Sequence, residues 1–169
     1  MPPFLLDNVT LDQAGRLLAV LRGAGLRVAT AESCTGGLVA ASLTHHAGSS
    51  DVVEGGFVTY SNGMKTTLLG VDPGLLARHG AVSAETAAAM ADGALVRVPA
   101  TDITVSITGI AGPGGGSAAK PVGLVWFATA RRNGATVTLS RVFDGDRASV
   151  RQQAVAQALD LIGQRVHSS

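Results

Sequence analysis

A short polar turn between a predicted strand and a predicted helix holds the first residue that can do chemistry. Ser33 lies in the segment Ala-Glu-Ser-Cys-Thr-Gly-Gly at residues 31–37. The apolar residues 26–31 before it predict a buried strand, and the small and apolar residues 38–45 after it predict a helix. Main-chain N–H groups at the start of a helix can hold an anion or a developing oxyanion. Ser33 is therefore either a nucleophile beside such groups or, like Thr35, a cap of the helix.

A serine becomes a nucleophile only beside a base, and the sequence offers Lys65. This lysine is one of two in the chain and follows a predicted strand over residues 52–61. A buried lysine with a lowered pKa can stay neutral and accept the serine proton, with Tyr60 as a relay. A solvated surface lysine is the alternative that the residue type leaves open. Cys34 is the single cysteine, and we interpret it as a packed, unreactive thiol.

A glycine-rich stretch, residues 109–116, follows another predicted strand at residues 103–107. Its glycines let the main chain approach a ligand closely, although their spacing matches neither a Walker motif nor the Rossmann fingerprint. A plain surface loop is the alternative interpretation. Arg147 stands at the start of the last predicted helix, where a cation is unfavourable unless it serves an anionic ligand. A surface arginine is the alternative there.

The elements that must position these residues alternate between helix and strand. Helices are predicted over residues 11–23, with Thr10 as the N-cap and Gly23 and Gly25 at the end, and over 38–45 and 64–69. A sequence close to a capping box at Ser83 predicts a helix over 84–97, and Asp146 is the predicted cap of a last helix. Strands are predicted over 26–31, 52–61 and 103–107 and, as a hairpin through Asn133-Gly134, over 122–130 and 135–143, with a turn at residues 72–74. This order predicts an α/β fold, a single three-layer α/β/α domain with a mixed sheet over residues 1–169 and a core of about 10–166. Residues 166–169 are expected to fray.

Composition excludes several classes of function. The chain is 46% hydrophobic and 15% charged with a net charge of +1, which is typical of a packed globular protein. It has no basic run that could follow a nucleic-acid backbone, no cysteine and histidine spacing that predicts zinc, and no apolar run of membrane-spanning length. We expect a cytoplasmic protein without nucleic-acid or membrane partners. His45, His46 and His79 are assigned structural or solvent roles.

Several motifs together point to one family. They are Thr-Ala-Glu-Ser-Cys-Thr-Gly-Gly at 30–37, Tyr-Ser-Asn at 60–62 with Lys65, Leu-Leu-Gly-Val at 68–71, His-Gly-Ala-Val-Ser at 79–83, Ser-Ile-Thr-Gly-Ile-Ala-Gly-Pro-Gly-Gly at 106–115, and Gly-Asp-Arg at 145–147. In this combination the chain resembles the CinA carboxyl-terminal domain family, from the first predicted helix to the last. The resemblance implies hydrolysis of the carboxamide of nicotinamide mononucleotide (NMN), in pyridine nucleotide (NAD) recycling. The products would be nicotinic acid mononucleotide and ammonia, and no metal or cofactor would be needed.

The resemblance also implies roles for individual residues and for the assembly. Ser33 would be the nucleophile, Lys65 the base and Tyr60 a supporting catalytic residue. Substrate-binding roles fall on Thr35, Gly36, Thr108, Gly109, Gly112, Gly114 and Arg147. Met64 before the lysine and Thr66-Thr67 after it depart from the more polar residues usual in the family, which bears on the placement of Lys65. The family's tendency towards homo-oligomers implies a dimer or trimer, and we expect the additional amino-terminal pyrophosphatase domain of the longer members to be absent.

Two alternatives stay open beside the implied activity. One is a catalytically silent nucleotide-binding module, in which the turn and the glycine-rich loop hold a phosphate and Lys65 only neutralises it. The other is an amidase for a different carboxamide, because the shape of a pocket decides which substrate it takes.

Overall fold

Five strands form one mixed sheet in the computed structural model, which describes residues 6–167. The strands are β1 (Val28–Glu32), β2 (Val53–Val58), β3 (Ile103–Gly109), β4 (Leu124–Arg131) and β5 (Val137–Val142). Their order across the sheet is β2-β1-β3-β4-β5. Strand β1 runs parallel to β2 and β3, whereas β4 is antiparallel to both of its neighbours. The predicted α/β class and mixed sheet are confirmed.

Helices cover both faces of the sheet. They are α1 (Asn8–Ala24), α2 (Leu38–Thr44), α3 (Asn62–Leu69), α4 (Pro73–His79), α5 (Ala84–Arg97) and α6 (Arg147–Val166), with a short 3₁₀ helix at Ser49–Asp51. Helix α6 packs against β3 and β4 and also against α1 and α2. Helix α5 packs against β1, β3 and β4, with α3 and α4 beside it. The arrangement is the predicted three-layer α/β/α domain.

Strands β1 and β3 are buried along almost their whole length, because helices cover them from both sides. Val28, Ile103, Val105 and Ile107 are fully buried and belong to the largest apolar cluster, together with residues of α1, α2 and α6. Residues Glu32 and Ile107 are partners in the parallel ladder between β1 and β3. The carboxyl ends of these strands therefore lie side by side at one edge of the sheet, where α/β proteins build their sites.

Several element boundaries differ from the sequence predictions. Helix α1 begins at Asn8 because Asp7, not Thr10, is its N-cap, and the main-chain N of Thr10 donates to the Asp7 carboxylate at 2.8 Å. The helix runs through Gly23 and ends at Gly25, whose φ of +66° suits glycine.

The structure also differs from the predictions after Asp72 and at the end of α6. The turn predicted at residues 72–74 instead opens helix α4, capped by Asp72. Val166 is buried at the end of α6 rather than frayed, while residues 168–169 lie outside the described part of the chain.

Other local signals are confirmed. Ser83 caps α5 and Asp146 caps α6, each by accepting a bond from a main-chain N–H three residues on. Asn133 turns the hairpin between β4 and β5 with a φ of +62°. Between residues 6 and 167, none of the helices is both long enough and apolar enough to cross a membrane.

Candidate active site

Ser33 is the first residue after β1 and lies at the carboxyl edge of the parallel strands. Its main-chain N donates to the carbonyl of Ile107 at 2.9 Å, which extends the ladder between β1 and β3 by one bond. The side chain is almost buried, with 8% of its surface exposed. Ser33 therefore has a fixed backbone and a hydroxyl in a confined space.

Lys65 reaches this serine from the first turns of α3, which Ser61 caps. The lysine is fully buried, and its Nζ lies 3.0 Å from the Ser33 Oγ. The same nitrogen donates to two main-chain carbonyls, those of Thr59 at 2.8 Å and Tyr60 at 3.2 Å. Among the described residues, no carboxylate forms a salt bridge with Lys65.

Burial shifts the pKa values of Lys65 and Cys34 in opposite directions. Removal of the Lys65 ammonium from water lowers the pKa of this lysine below its usual 10.5. Burial, with a smaller contribution from the nearby Glu32 charge, raises the pKa of the Cys34 thiol to about 12. The thiol thus stays protonated and packs in the core, as interpreted from the sequence. Of the two adjacent side chains, Ser33 is the one within reach of the amine.

Glu32, the last residue of β1, organises the turn and is a residue that sequence reasoning missed. Its fully buried carboxylate accepts bonds from the main-chain N of Gly37 at 3.0 Å, Val39 at 3.1 Å and Ala40 at 2.9 Å. It also accepts from the hydroxyls of Thr30 at 3.3 Å and Thr35 at 2.6 Å. The carboxylate thereby satisfies the first N–H groups of α2 and fixes the main chain on both sides of Ser33.

Arg151 holds the same turn from the outside and was also missed. Its Nε donates to the Cys34 carbonyl and its Nη2 to the Thr35 carbonyl, both at 3.1 Å. A carboxylate that accepts from the turn and a guanidinium that donates to it leave little freedom in the backbone that carries Ser33. The arginine comes from α6, so the turn is anchored to this helix as well as to β3.

A cavity of about 180 Å³ opens over Ser33 and Lys65. Its wall includes Thr108 and Gly109 at the end of β3, with Cys34, Tyr60, Ala81, Val82, Ala111 and Arg147. A larger cavity of about 670 Å³ shares Ala111 and Arg147 with it and is also lined by Asp146 and Arg151 at the start of α6. The small cavity thus gives access to the Ser33 and Lys65 side chains, and two arginines border the larger one.

Arg147 lines both cavities and bonds to residues from two different loops. Its Nη2 donates to the Tyr60 hydroxyl at 3.1 Å, and its Nη1 donates to the Gly112 carbonyl at 2.9 Å. Tyr60 thus offers its carbonyl to Lys65 and its exposed hydroxyl to Arg147, and the described contacts of this hydroxyl include neither Ser33 nor Lys65. This geometry differs from the predicted relay through Tyr60.

Some predicted substrate contacts lie away from the cavities. Thr35 is fully buried and its hydroxyl is turned to Glu32, so its side chain does not face the small cavity. Gly36 and Gly114 are exposed and line neither cavity, whereas the carbonyl of Gly112 supports Arg147. Gly112 itself must be glycine, because a Cβ there would lie 2.6 Å from Val122 and its φ is +83°.

The histidines and the metal-ligating residue types add nothing to this site. The ring of His46 contacts the carbonyl of Leu11 at 2.7 Å, and His79 faces Glu85 at 3.4 Å. Neither lines the small cavity. Over residues 6–167, no three His, Cys, Asp or Glu side chains come together in a way that could hold a metal ion.

Comparison with known proteins gives one consistent family. Residues 11–166 match the family model of the CinA C-terminal domain. The nicotinamide-nucleotide amidohydrolase PncC of Escherichia coli K12 is 48% identical over 159 residues, which cover 94% of this chain and 96% of that protein. A CinA-like protein of Mycolicibacterium vanbaalenii is 54% identical over 151 residues, or 89% of this chain. The matched part is 34% of the length of that longer protein.

Solved structures agree with the sequence matches. The competence/damage inducible protein CihA of Agrobacterium tumefaciens has a TM-score of 0.89 and 49% identity, with 94% of this chain and 96% of that chain covered. A CinA superfamily protein of Klebsiella pneumoniae has a TM-score of 0.88 and 39% identity, with 93% and 97% covered. The fold is thus shared over nearly the whole length of both chains.

Proposed function

Because the chain belongs to the CinA C-terminal domain family, we propose that it hydrolyses the carboxamide of NMN to nicotinic acid mononucleotide and ammonia. The near full-length similarity to a nicotinamide-nucleotide amidohydrolase supports this substrate. The observation that carries the proposal is the buried contact of 3.0 Å between the Lys65 Nζ and the Ser33 Oγ. We further propose that the reaction serves NAD recycling in the cytoplasm.

Lys65 has the right number of hydrogen-bond partners to act as a base. A neutral amine has two N–H donors and one lone pair. The carbonyls of Thr59 and Tyr60 take the two donors, so the lone pair is left for the third neighbour, the Ser33 hydroxyl. The burial that lowers the pKa of Lys65 favours this neutral form. Ser33 is then the donor and Lys65 the acceptor of their shared bond.

The first half of the reaction follows from that bond. Lys65 takes the hydroxyl proton while the Ser33 Oγ forms a bond to the carboxamide carbon, and the carbonyl electrons move onto oxygen. When the tetrahedral intermediate collapses, the C–N bond breaks and the Lys65 ammonium passes its proton to the departing nitrogen. Ammonia leaves, and the acyl group remains as an ester of Ser33.

Water completes the cycle by the same groups. Lys65 takes a proton from water as the water oxygen attacks the ester, and then returns a proton to the Ser33 Oγ as the acid product forms. In both halves of the reaction the former carbonyl oxygen becomes negatively charged, and main-chain N–H donors can stabilise this charge. The N–H groups of Ser33, Gly36 and Gly37 already have acceptors within the turn or on β3. We assign the oxyanion to the N–H group of Cys34, which lines the small cavity.

The larger cavity fits the ribose phosphate of the substrate. Arg147 and Arg151 line it at the first turns of α6, a helix of 20 residues. Arginine side chains and the start of a helix both favour a phosphate group. Asp146 also lines this cavity, but its carboxylate is engaged with Ser149 as the cap of the helix. The nucleotide would thus place its ring over Ser33 and its phosphate beside α6.

The proposal is tested by comparing Ser33→Ala with Cys34→Ala as the matched control. Both variants and the wild type are incubated with NMN and a chelator, and ammonia and acid product are measured, with folding checked by circular dichroism. Loss of the nucleophile should lower turnover at least about a thousandfold, whereas the cysteine variant should stay active. Full activity of Ser33→Ala would reject the serine assignment.

The same assay separates the two alternatives. Wild-type protein that binds NMN tightly and forms no product would be a nucleotide-binding module. Turnover of another carboxamide from a small panel, with none of NMN, would indicate a different amidase.

A further inference from the structure

Three hydroxyl side chains on one face of β3 donate to main-chain carbonyls of the layer that covers it. Thr104 donates to Ala91 at 2.8 Å, Ser106 to Ala87 at 2.6 Å, and Thr108 to Ala81 at 2.7 Å. The first two are fully buried, and neither lines the small cavity. Thr108 is the one of the three that lines the small cavity. Of the three hydroxyls bonded in this way, only that of Thr108 can therefore also contact a ligand in the cavity.

Thr108 lies next to Ser33 at the edge of the sheet. Glu32 pairs with Ile107 in the parallel ladder, and the Ser33 N donates to the Ile107 carbonyl. Ser33 and Thr108 are the residues that follow this pair on β1 and β3. Both side chains border the same 180 Å³ cavity. A group that reacts at the Ser33 Oγ must therefore come close to Thr108.

The bond to Ala81 decides what Thr108 can offer a ligand. A threonine hydroxyl has one donor and two acceptor lone pairs. The donor is taken by the Ala81 carbonyl, so the side chain presents an acceptor to the cavity. A primary carboxamide has two N–H donors, whereas a carboxylate has only acceptors. Thr108 can therefore bond to an amide nitrogen but not to a carboxylate oxygen.

We propose that the Thr108 Oγ1 accepts a hydrogen bond from the –NH₂ of the substrate carboxamide and so selects the amide over the acid product. This inference rests on the proposed function and names the group that reads the reacting amide. The bond turns the nitrogen towards β3 and leaves the carbonyl oxygen for the main-chain N–H of Cys34 in the turn. After hydrolysis the bond is lost and two lone pairs face each other, which favours release of the acid.

The test compares Thr108→Val with Thr108→Ser and with Thr104→Val as the matched control. For each, kcat/KM for NMN and the inhibition constant of nicotinic acid mononucleotide are measured. Thr108→Val should lower kcat/KM about tenfold or more, while the acid binds equally well or more tightly. Thr108→Ser should restore the wild-type preference. Thr104→Val removes a similar bond outside the cavity and should leave both constants unchanged.

A second measurement covers the case in which Thr108→Val does not fold. On Ser33→Ala, which keeps Thr108, calorimetry should give tighter binding of NMN than of nicotinic acid mononucleotide by about tenfold. Equal binding of the two ligands, or a parallel loss of both in Thr108→Val, would overturn the inference while wild-type turnover left the proposed function standing. If the wild-type protein did not turn over NMN, both the proposed function and the inference about Thr108 would be wrong.

Discussion

The side-chain nitrogen of Lys65 lies 3.0 Å from the hydroxyl oxygen of Ser33, in a space where the lysine has no exposed surface. The two residues are 32 positions apart and belong to different layers, since one follows β1 and the other lies in α3. The pair carries no compensating carboxylate among the described residues. Burial therefore lowers the pKa of this lysine, and both the activity and the stability of the protein should depend on pH in predictable directions.

The first prediction concerns the pH dependence of turnover. Since the neutral amine is the active form, kcat/KM for NMN should rise with pH. It should become constant above an apparent pKa that is lower than 10.5. Lys65→Arg keeps a cation that cannot lose its proton, so turnover should be nearly abolished at every pH while binding is partly retained. Steady-state kinetics over a pH series would check both. A Lys65→Arg variant with unchanged turnover would exclude this lysine as the base.

The second prediction concerns the pH dependence of folding. The unfolded chain holds a proton on Lys65 up to the usual value of 10.5, whereas the folded protein releases it at lower pH. Between these two values the unfolded state binds more protons, so the contribution of Lys65 to the free energy of unfolding rises with pH. Denaturant unfolding of the wild type and Lys65→Met from about pH 7 to pH 10 should show the wild type gaining relative to the variant. A difference that stays constant or moves the other way would contradict it.

The third prediction concerns Glu32. In Glu32→Gln, the amide nitrogen cannot accept the bonds that one carboxylate oxygen now receives, so buried N–H groups lose partners. The free energy of unfolding should fall by about 2–4 kcal/mol, and turnover of the folded fraction should fall as well. Glu85→Gln is the matched control, because that carboxylate is half exposed and faces His79. If guanidinium unfolding gave the same free energy of unfolding for both variants, Glu32 would not organise the turn as inferred.

The fourth prediction separates positioning from proton relay at Tyr60. The Tyr60 hydroxyl bonds to Arg147 and is on an exposed side chain, with 62% of its surface accessible. Tyr60→Phe keeps the carbonyl that accepts from Lys65 and frees Arg147, so KM for NMN should rise while kcat changes less than about tenfold. Steady-state kinetics of this variant beside Arg147→Lys would check it. A fall of a hundredfold or more in kcat at constant KM would indicate a relay instead.

The order of elements followed from the sequence because it depends on local patterns. Apolar runs predicted the strands that helices bury, and the capping residues Ser83 and Asp146 lie beside the N–H groups they satisfy. The strand, turn and helix around Ser33 also follow from adjacent residues. Helix α4 was missed because seven residues after Asp72 show too little periodicity to distinguish a helix from a turn.

The chemistry of the site depended on contacts that no local pattern contains. A lone lysine is by default a solvated one, and only the packing of α3 under the sheet edge removes Lys65 from water. Arg151 meets the carbonyls of Cys34 and Thr35 across more than a hundred residues of chain. The direction of the Thr108 hydroxyl likewise depends on where the carbonyl of Ala81 comes to lie. The sequence alone determined which groups are present, whereas the tertiary structure decided their burial and their partners, on which protonation and hydrogen bonding depend.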